Sequence, residues 1–183
     1  MSQLRIIVDH LKLEYSGIFD AHEYFKVISS WLFERGYEKL TNRDEEITTP
    51  TGKFIEWEIR PWKKISDYQR FIIKMRTLMY DLKKVSVVQK KKKITLNQGK
   101  VLIYFDGYLE HDYEHRWDNN PLLVFFRSLY DAFIYKAYTE RFEQRLTFDV
   151  HQLYDQMEKF FNMYRHYRVV TKMPHFEPNP DER

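Results

Sequence analysis

The chain has 183 residues, 43% hydrophobic and 17% aromatic, which is one domain's length with enough apolar surface for a sizeable core and excludes global disorder. It has no cysteine, which excludes disulfides, Cys-ligated zinc and a Cys nucleophile and is compatible with a reducing interior. Net charge is only +3, but between Arg60 and Lys100 thirteen basic residues stand against two acids, Asp67 and Asp81, so the rest of the chain is net acidic.

Such asymmetry points to a polyanionic partner, unless acids elsewhere fold back over the basic block. The scarcity of turn formers, 5 Gly and 6 Pro, suits long regular elements. Leu4–Val8 is too short and interrupted for a signal segment. No apolar run approaches the ~20 residues of a membrane span. The expectation is a cytoplasmic protein with a single domain over 1–171 and a loose Pro-rich tail over 172–183.

In chain order, Leu4–Tyr15 reads as a strand. Ile6, Val8, His10 and Lys12 share one face; Ile7, Asp9, Leu11, Leu13 and Tyr15 share the other. Ser16-Gly17 is expected to break it. Asp20-x-x-Glu23 resembles a capping box and opens a helix over Ala21–Arg35. Phe25, Ile28 and Trp31 or Leu32 mark its core stripe, and Gly36 stands where a left-handed residue ends helices. Tyr37–Thr48 is a weaker strand, and Pro50-Thr51-Gly52 a turn.

Ile55, Trp57 and Ile59 alternate with Glu56, Glu58 and Arg60, the period of a half-buried antiparallel strand, which Pro61 is expected to end. Tyr68–Tyr80 is read as a long strand, with helix as its rival. Lys83–Leu96 continues as one or two strands, and Asn97-Gln98-Gly99 is expected to close a hairpin. Val101–Tyr113 is apolar on both sides at first, which predicts a central strand. Asn119-Asn120-Pro121 predicts a helix start and a helix to about Arg145. Asp149-x-x-Gln152 predicts the start of a last helix, with Val150, Leu153, Met157, Phe160 and Phe161 on its apolar stripe.

This order gives an α+β fold: an antiparallel sheet of about six strands with one N-terminal helix and two C-terminal helices packed on it. In that order the chain resembles the helix-grip arrangement of START-like and Bet v 1-like domains, where a curved sheet wraps a long C-terminal helix. The resemblance covers the whole chain in element order. One helix rather than a pair follows the first strand, and two helices rather than one close the chain. No family motif is matched, so the resemblance implies no site residues.

No catalytic signature stands out. His111 and His115 would share a face on a helix and could chelate a metal. On a strand four residues span ~13 Å, too far for one ion, so no metal site and no cofactor is expected. Glu56, Glu58 and Arg60 need no acid–base role, because cross-strand ion pairs with Lys74 or Arg76 account for them.

The expected function is a non-catalytic binding domain that presents a basic strand block to a polyanion, RNA or a ribonucleoprotein surface. Lys83, Lys84, Lys90, Lys91, Lys92, Lys93 and Lys100 are the candidate phosphate contacts. Tyr68, Tyr80, Tyr104 and Tyr108 are candidate base-stacking surfaces; ordinary sheet packing would account for them too. The alternative is a carrier or sensor of an apolar small molecule lined by Phe126, Tyr130, Tyr154, Met157 and Phe161. An enzyme using the His111–His115 region is a third reading, and exposed aromatics leave room for a homodimer.

Overall fold

The computed structural model describes residues 3–66, 68–89, 92–111 and 135–166. Its elements are β1 (Gln3–Phe19), α1 (Ala21–Glu34), β2 (Thr41–Thr49), β3 (Gly52–Ile59), β4 (Trp62–Lys64), β5 (Gln69–Gln89), β6 (Lys92–His111) and α2 (Tyr135–Tyr164). The strands form one six-stranded sheet in the order β1-β6-β5-β3-β2, with β4 also paired to β5. Every pairing is antiparallel. The fold is α+β, the class the sequence predicts. No helix among the described residues is long and apolar enough to cross a membrane.

The core lies between one face of the sheet and both helices. Val101, Ile103, Phe105 and Leu109 of β6, Phe71, Ile73, Met75 and Met79 of β5, and Leu146, Val150, Leu153 and Met157 of α2 are all fully buried in one cluster with Tyr24 and Ile28 of α1. β6 sits between β1 and β5, as its unbroken apolar run predicts. At Gly107 a Cβ would stand 3.2 Å from Val150 Cγ2, so the absence of a side chain lets α2 lie close on the sheet. The opposite face carries the alternate residues of each strand, among them Lys12, Glu14, Arg76, Lys74 and Tyr104, at least partly exposed. Polar residues on one side and apolar on the other give an antiparallel sheet with one solvated face.

α1 starts as expected. Asp20 Oδ1 accepts from the backbone N–H of His22 at 2.9 Å and of Glu23 at 3.1 Å, satisfying two orphan donors of the first turn. Gly36, at φ +70°, follows its C-terminus. Gln69–Gln89 is strand without interruption, so pairing with β3 and β6 overrides the helical spacing of Met75, Leu78, Met79 and Leu82.

Three local expectations are corrected, and a fourth, the end of β3 at Pro61, holds. β1 runs through Ser16-Gly17 to Phe19, because Gly17 pairs with Gly99 in the β1–β6 ladder. Asn97-Gln98-Gly99 is no turn: all three lie within β6, and β5 passes to β6 between Gln89 and Lys92. Gly99 serves close approach instead, since a Cβ there would stand 2.7 Å from the Tyr80 carbonyl, beside the bulge at Asp81 (φ +52°). Pro61 ends β3, yet the chain re-enters the sheet at once as β4 against β5. No helix starts at Asp149, which is buried within the continuous α2. Its carboxylate accepts from Tyr37 Oη at 2.8 Å, and Gln152 accepts from Arg35. Both polar groups of the expected box thus serve contacts to the α1 end rather than a cap. The expected helix start at 119–121 and the tail at 172–183 lie outside the described residues.

Candidate nucleic-acid interface

β5 and β6 outrun their neighbours. β3 pairs with β5 no further than Leu82, and β1 pairs with β6 no further than Asn97. Among the described residues, Val85–Gln89 and Lys92–Leu96 pair only with each other, forming a two-stranded ribbon. Ile18, Val87 and Leu96, buried together and flanked by Val85, Ile94 and Tyr164, anchor its base in a small core of their own. Beside that base a cleft of about 430 Å³ is lined by Ser16, Gln98, Tyr164 and Arg165, among others.

Of the candidate phosphate contacts, Lys92 and Lys93 lie in this ribbon and Lys83 and Lys84 at its root. Lys83 and Lys84 are exposed at its root, opposite Gln98 and Asn97. Lys92 and Lys93 pair with Gln89 and Val88 at its far end; Lys90 and Lys91 lie outside the described residues. From Leu82 to Lys100 the sequence holds seven lysines and no acid. Lys100 differs from the others, since it pairs with Glu14 at 2.7 Å on the open sheet face. Lys100 and Lys12 together hold the Glu14 carboxyl below the ordinary glutamate value.

Four cations in the rest of the basic block meet acids, while Lys63 donates to the Arg35 carbonyl. Arg76 contacts Glu56 through Nε at 2.9 Å and Nη2 at 2.8 Å. Lys74 lies 3.6 Å and Arg60 3.4 Å from Glu58, and Arg70 contacts Glu110 at 2.5 Å. Glu56 and Glu58 therefore pair across strands with Arg76 and Lys74, as the alternation predicts, while Arg60 pairs with Glu58 of its own segment. The basic block divides in two: Arg60, Arg70, Lys74 and Arg76 of its sheet portion pair with acids, while its ribbon portion has none in its own sequence.

Tyr104 and Tyr108 are half-buried on the open sheet face. Tyr104 pairs with Arg76 and Lys12, eight residues along β6 from Leu96, or about 26 Å at ~3.3 Å per residue. The fold thus sets these tyrosines apart from the ribbon. Tyr80 is closer to its root, with its ring 5.1 Å from that of Phe54, and the Tyr68 ring is 6.0 Å from that of His111.

Met157 and Phe161 are core residues packed on the sheet, and Tyr154 is half-buried beside Phe105, their rings 5.9 Å apart. Phe126 and Tyr130 lie outside the described residues. His111 ends β6, buried, with Nδ1 3.3 Å from Gln69 Nε2; His115 lies outside the described residues.

A second constellation escapes the sequence reading. Between Ile6 and Leu11, β1 advances five residues while β6 advances three, so two bulges interrupt the alternation. His10 sits there in the left-handed region at φ +51°. Its backbone N–H donates to Asp106 Oδ1 at 2.8 Å, and its Nδ1 lies 2.5 Å from Asp9 Oδ1 and 3.5 Å from Asp106 Oδ1. The hydrogen bond to Asp9, with Asp106 behind it, holds the imidazolium above the ordinary histidine value. Asp106 is buried, and burial together with this carboxylate raises the Tyr108 phenol. The available signal was the adjacent pair Asp9-His10 inside an apolar alternation, histidine and aspartate being enriched in left-handed positions.

No family model, no curated protein and no solved structure matches this chain.

Proposed function

We propose that the chain is a nucleic-acid-binding domain whose β5–β6 ribbon holds the phosphate backbone of RNA. The observation that carries this reading is the overhang: a two-stranded ribbon beyond the sheet edge, in a stretch with seven lysines and no acid. Lysines on such an arm contribute affinity by releasing counterions from the phosphates and read no base sequence. Lys83 and Lys84 at the root and Lys92 and Lys93 at the far end are the contacts, together with Lys90 and Lys91 of the same lysine run. Lys100 joins them by exchanging its exposed partner Glu14 for a phosphate, a trade that costs little because exposed ion pairs are weak. Binding of this kind involves no chemistry on the RNA, so the protein acts as a binder rather than an enzyme.

The test is a titration of labelled single- and double-stranded RNA with the nuclease-treated protein at low salt. Wild type is compared with a variant carrying alanine at Lys90, Lys91, Lys92 and Lys93, and circular dichroism verifies its fold. Loss of affinity in the variant supports the reading. Absence of binding by wild type, or equal binding by both, overturns it.

A further inference from the structure

We propose that Asp9, His10 and Asp106 form a divalent transition-metal site bridging β1 and β6. The imidazole Nδ1 and one carboxylate oxygen of each aspartate lie within 4.8 Å of one another. Metal–ligand bonds of about 2.0–2.2 Å put neighbouring donors of a tetrahedral shell roughly 3.4 Å apart. The 3.5 Å from His10 Nδ1 to Asp106 Oδ1 already matches that edge. The shorter His10–Asp9 contact, 2.5 Å, shares a proton that an ion would replace. Both of these side chains are mostly exposed and free to turn by the fraction of an ångström required.

The third ligand is fixed. Asp106 is 5% exposed, and the His10 backbone N–H holds its Oδ1 at 2.8 Å. The same carboxylate helps to hold the Tyr108 phenol above its ordinary value. Such outer partners orient a ligating carboxylate before the ion arrives. The bulge supplies the remaining geometry: with His10 left-handed, two consecutive residues of β1 turn toward one residue of β6 instead of alternating across the sheet.

One imidazole and two carboxylates suit Zn²⁺, Co²⁺, Mn²⁺ or Fe²⁺ better than Mg²⁺ or Ca²⁺, which prefer all-oxygen shells. Three protein ligands leave a coordination position open toward solvent. Lys74 pairs with Asp106 in the β5–β6 ladder and its charge opposes a cation; Glu58, 3.6 Å from its Nζ, offsets it.

The probe is Co²⁺, followed by its visible absorption, titrated into tag-free protein and then displaced by Zn²⁺. One equivalent per chain is expected. His10→Gly accepts the left-handed backbone without strain, removes the imidazole, and is expected to weaken binding by at least about tenfold, the scale on which even outer partners act. Asp106→Asn keeps the acceptor for the His10 N–H and is expected to do the same; Asp9→Asn reads the same loss on the exposed side. His22→Ala and His151→Ala are expected to bind as wild type. Absence of saturable binding, or binding unchanged in both His10→Gly and Asp9→Asn, overturns the site.

Discussion

The Tyr37 hydroxyl donates to Asp149 Oδ2 at 2.8 Å, joining the segment after α1 to the middle of α2 across 112 residues of sequence. Both side chains are buried. Tyr37→Phe keeps the ring, stacked on Trp31 at 6.0 Å, and leaves a buried carboxylate without its donor. The expected cost is about 1–3 kcal/mol, read as a lower urea midpoint with unchanged slope. A variant as stable as wild type would mean that Asp149 finds another partner.

The same burial sets the response to alkali. Burial, with Asp149 beside it, pushes the Tyr37 phenol far above its ordinary value, and burial does the same for Tyr24. The folded protein therefore keeps protons that the unfolded chain releases above pH ~10. Stability from both groups is complete below that pH and falls as pH rises past it. A tyrosinate absorbance titration is expected to show these two phenols ionising only with unfolding, and Tyr24→Phe to make the alkaline loss shallower. Early ionisation of all tyrosines would contradict the packing described.

Gly99 tests the register. A Cβ there meets the Tyr80 carbonyl at 2.7 Å, and backbone cannot rotate away as a side chain can. Gly99→Val is expected to cost about 1–3 kcal/mol through overpacking, measured by thermal unfolding. If Asn97-Gln98-Gly99 were an exposed turn, valine would cost far less.

The open face predicts unequal lysine and arginine effects. Arg76 meets the buried Glu56 through two nitrogens, whereas Lys74 reaches Glu58 only at 3.6 Å. Removing Arg76 leaves a buried carboxylate whose remaining ion-pair partner among the described residues is Arg43, 3.5 Å away. Arg76→Ala is expected to destabilise by about 1–3 kcal/mol and Lys74→Ala by less than ~1 kcal/mol. Denaturant midpoints of the two variants compare them directly.

The helix start at Asp20, the β3 alternation and the central place of β6 were legible in the sequence because each rests on local chemistry or on a period. The element errors share another cause. Asn97-Gln98-Gly99 and Ser16-Gly17 look like turns locally, yet both lie in the β1–β6 ladder, Gly17 opposite Gly99. Asp149 and Gln152 look like a cap, yet their partners, Tyr37 and Arg35, lie more than a hundred residues away. The lysine run of the ribbon was visible as composition, but its overhang depends on where β1 and β3 stop. His10 and Asp106 are 96 residues apart, so only the bulge register brings them together.

The salt dependence of RNA affinity reports directly on phosphate contacts made by the ribbon. For a single strand, log Kobs falls with log salt by about 0.7 per phosphate neutralised. Wild type is expected to lose affinity steeply across the salt series. The Lys83→Ala/Lys84→Ala double variant is expected to be shallower by roughly 1.4, two contacts' worth, with its fold intact. A wild-type affinity that does not change with salt, or an identical slope in the double variant, would contradict the account.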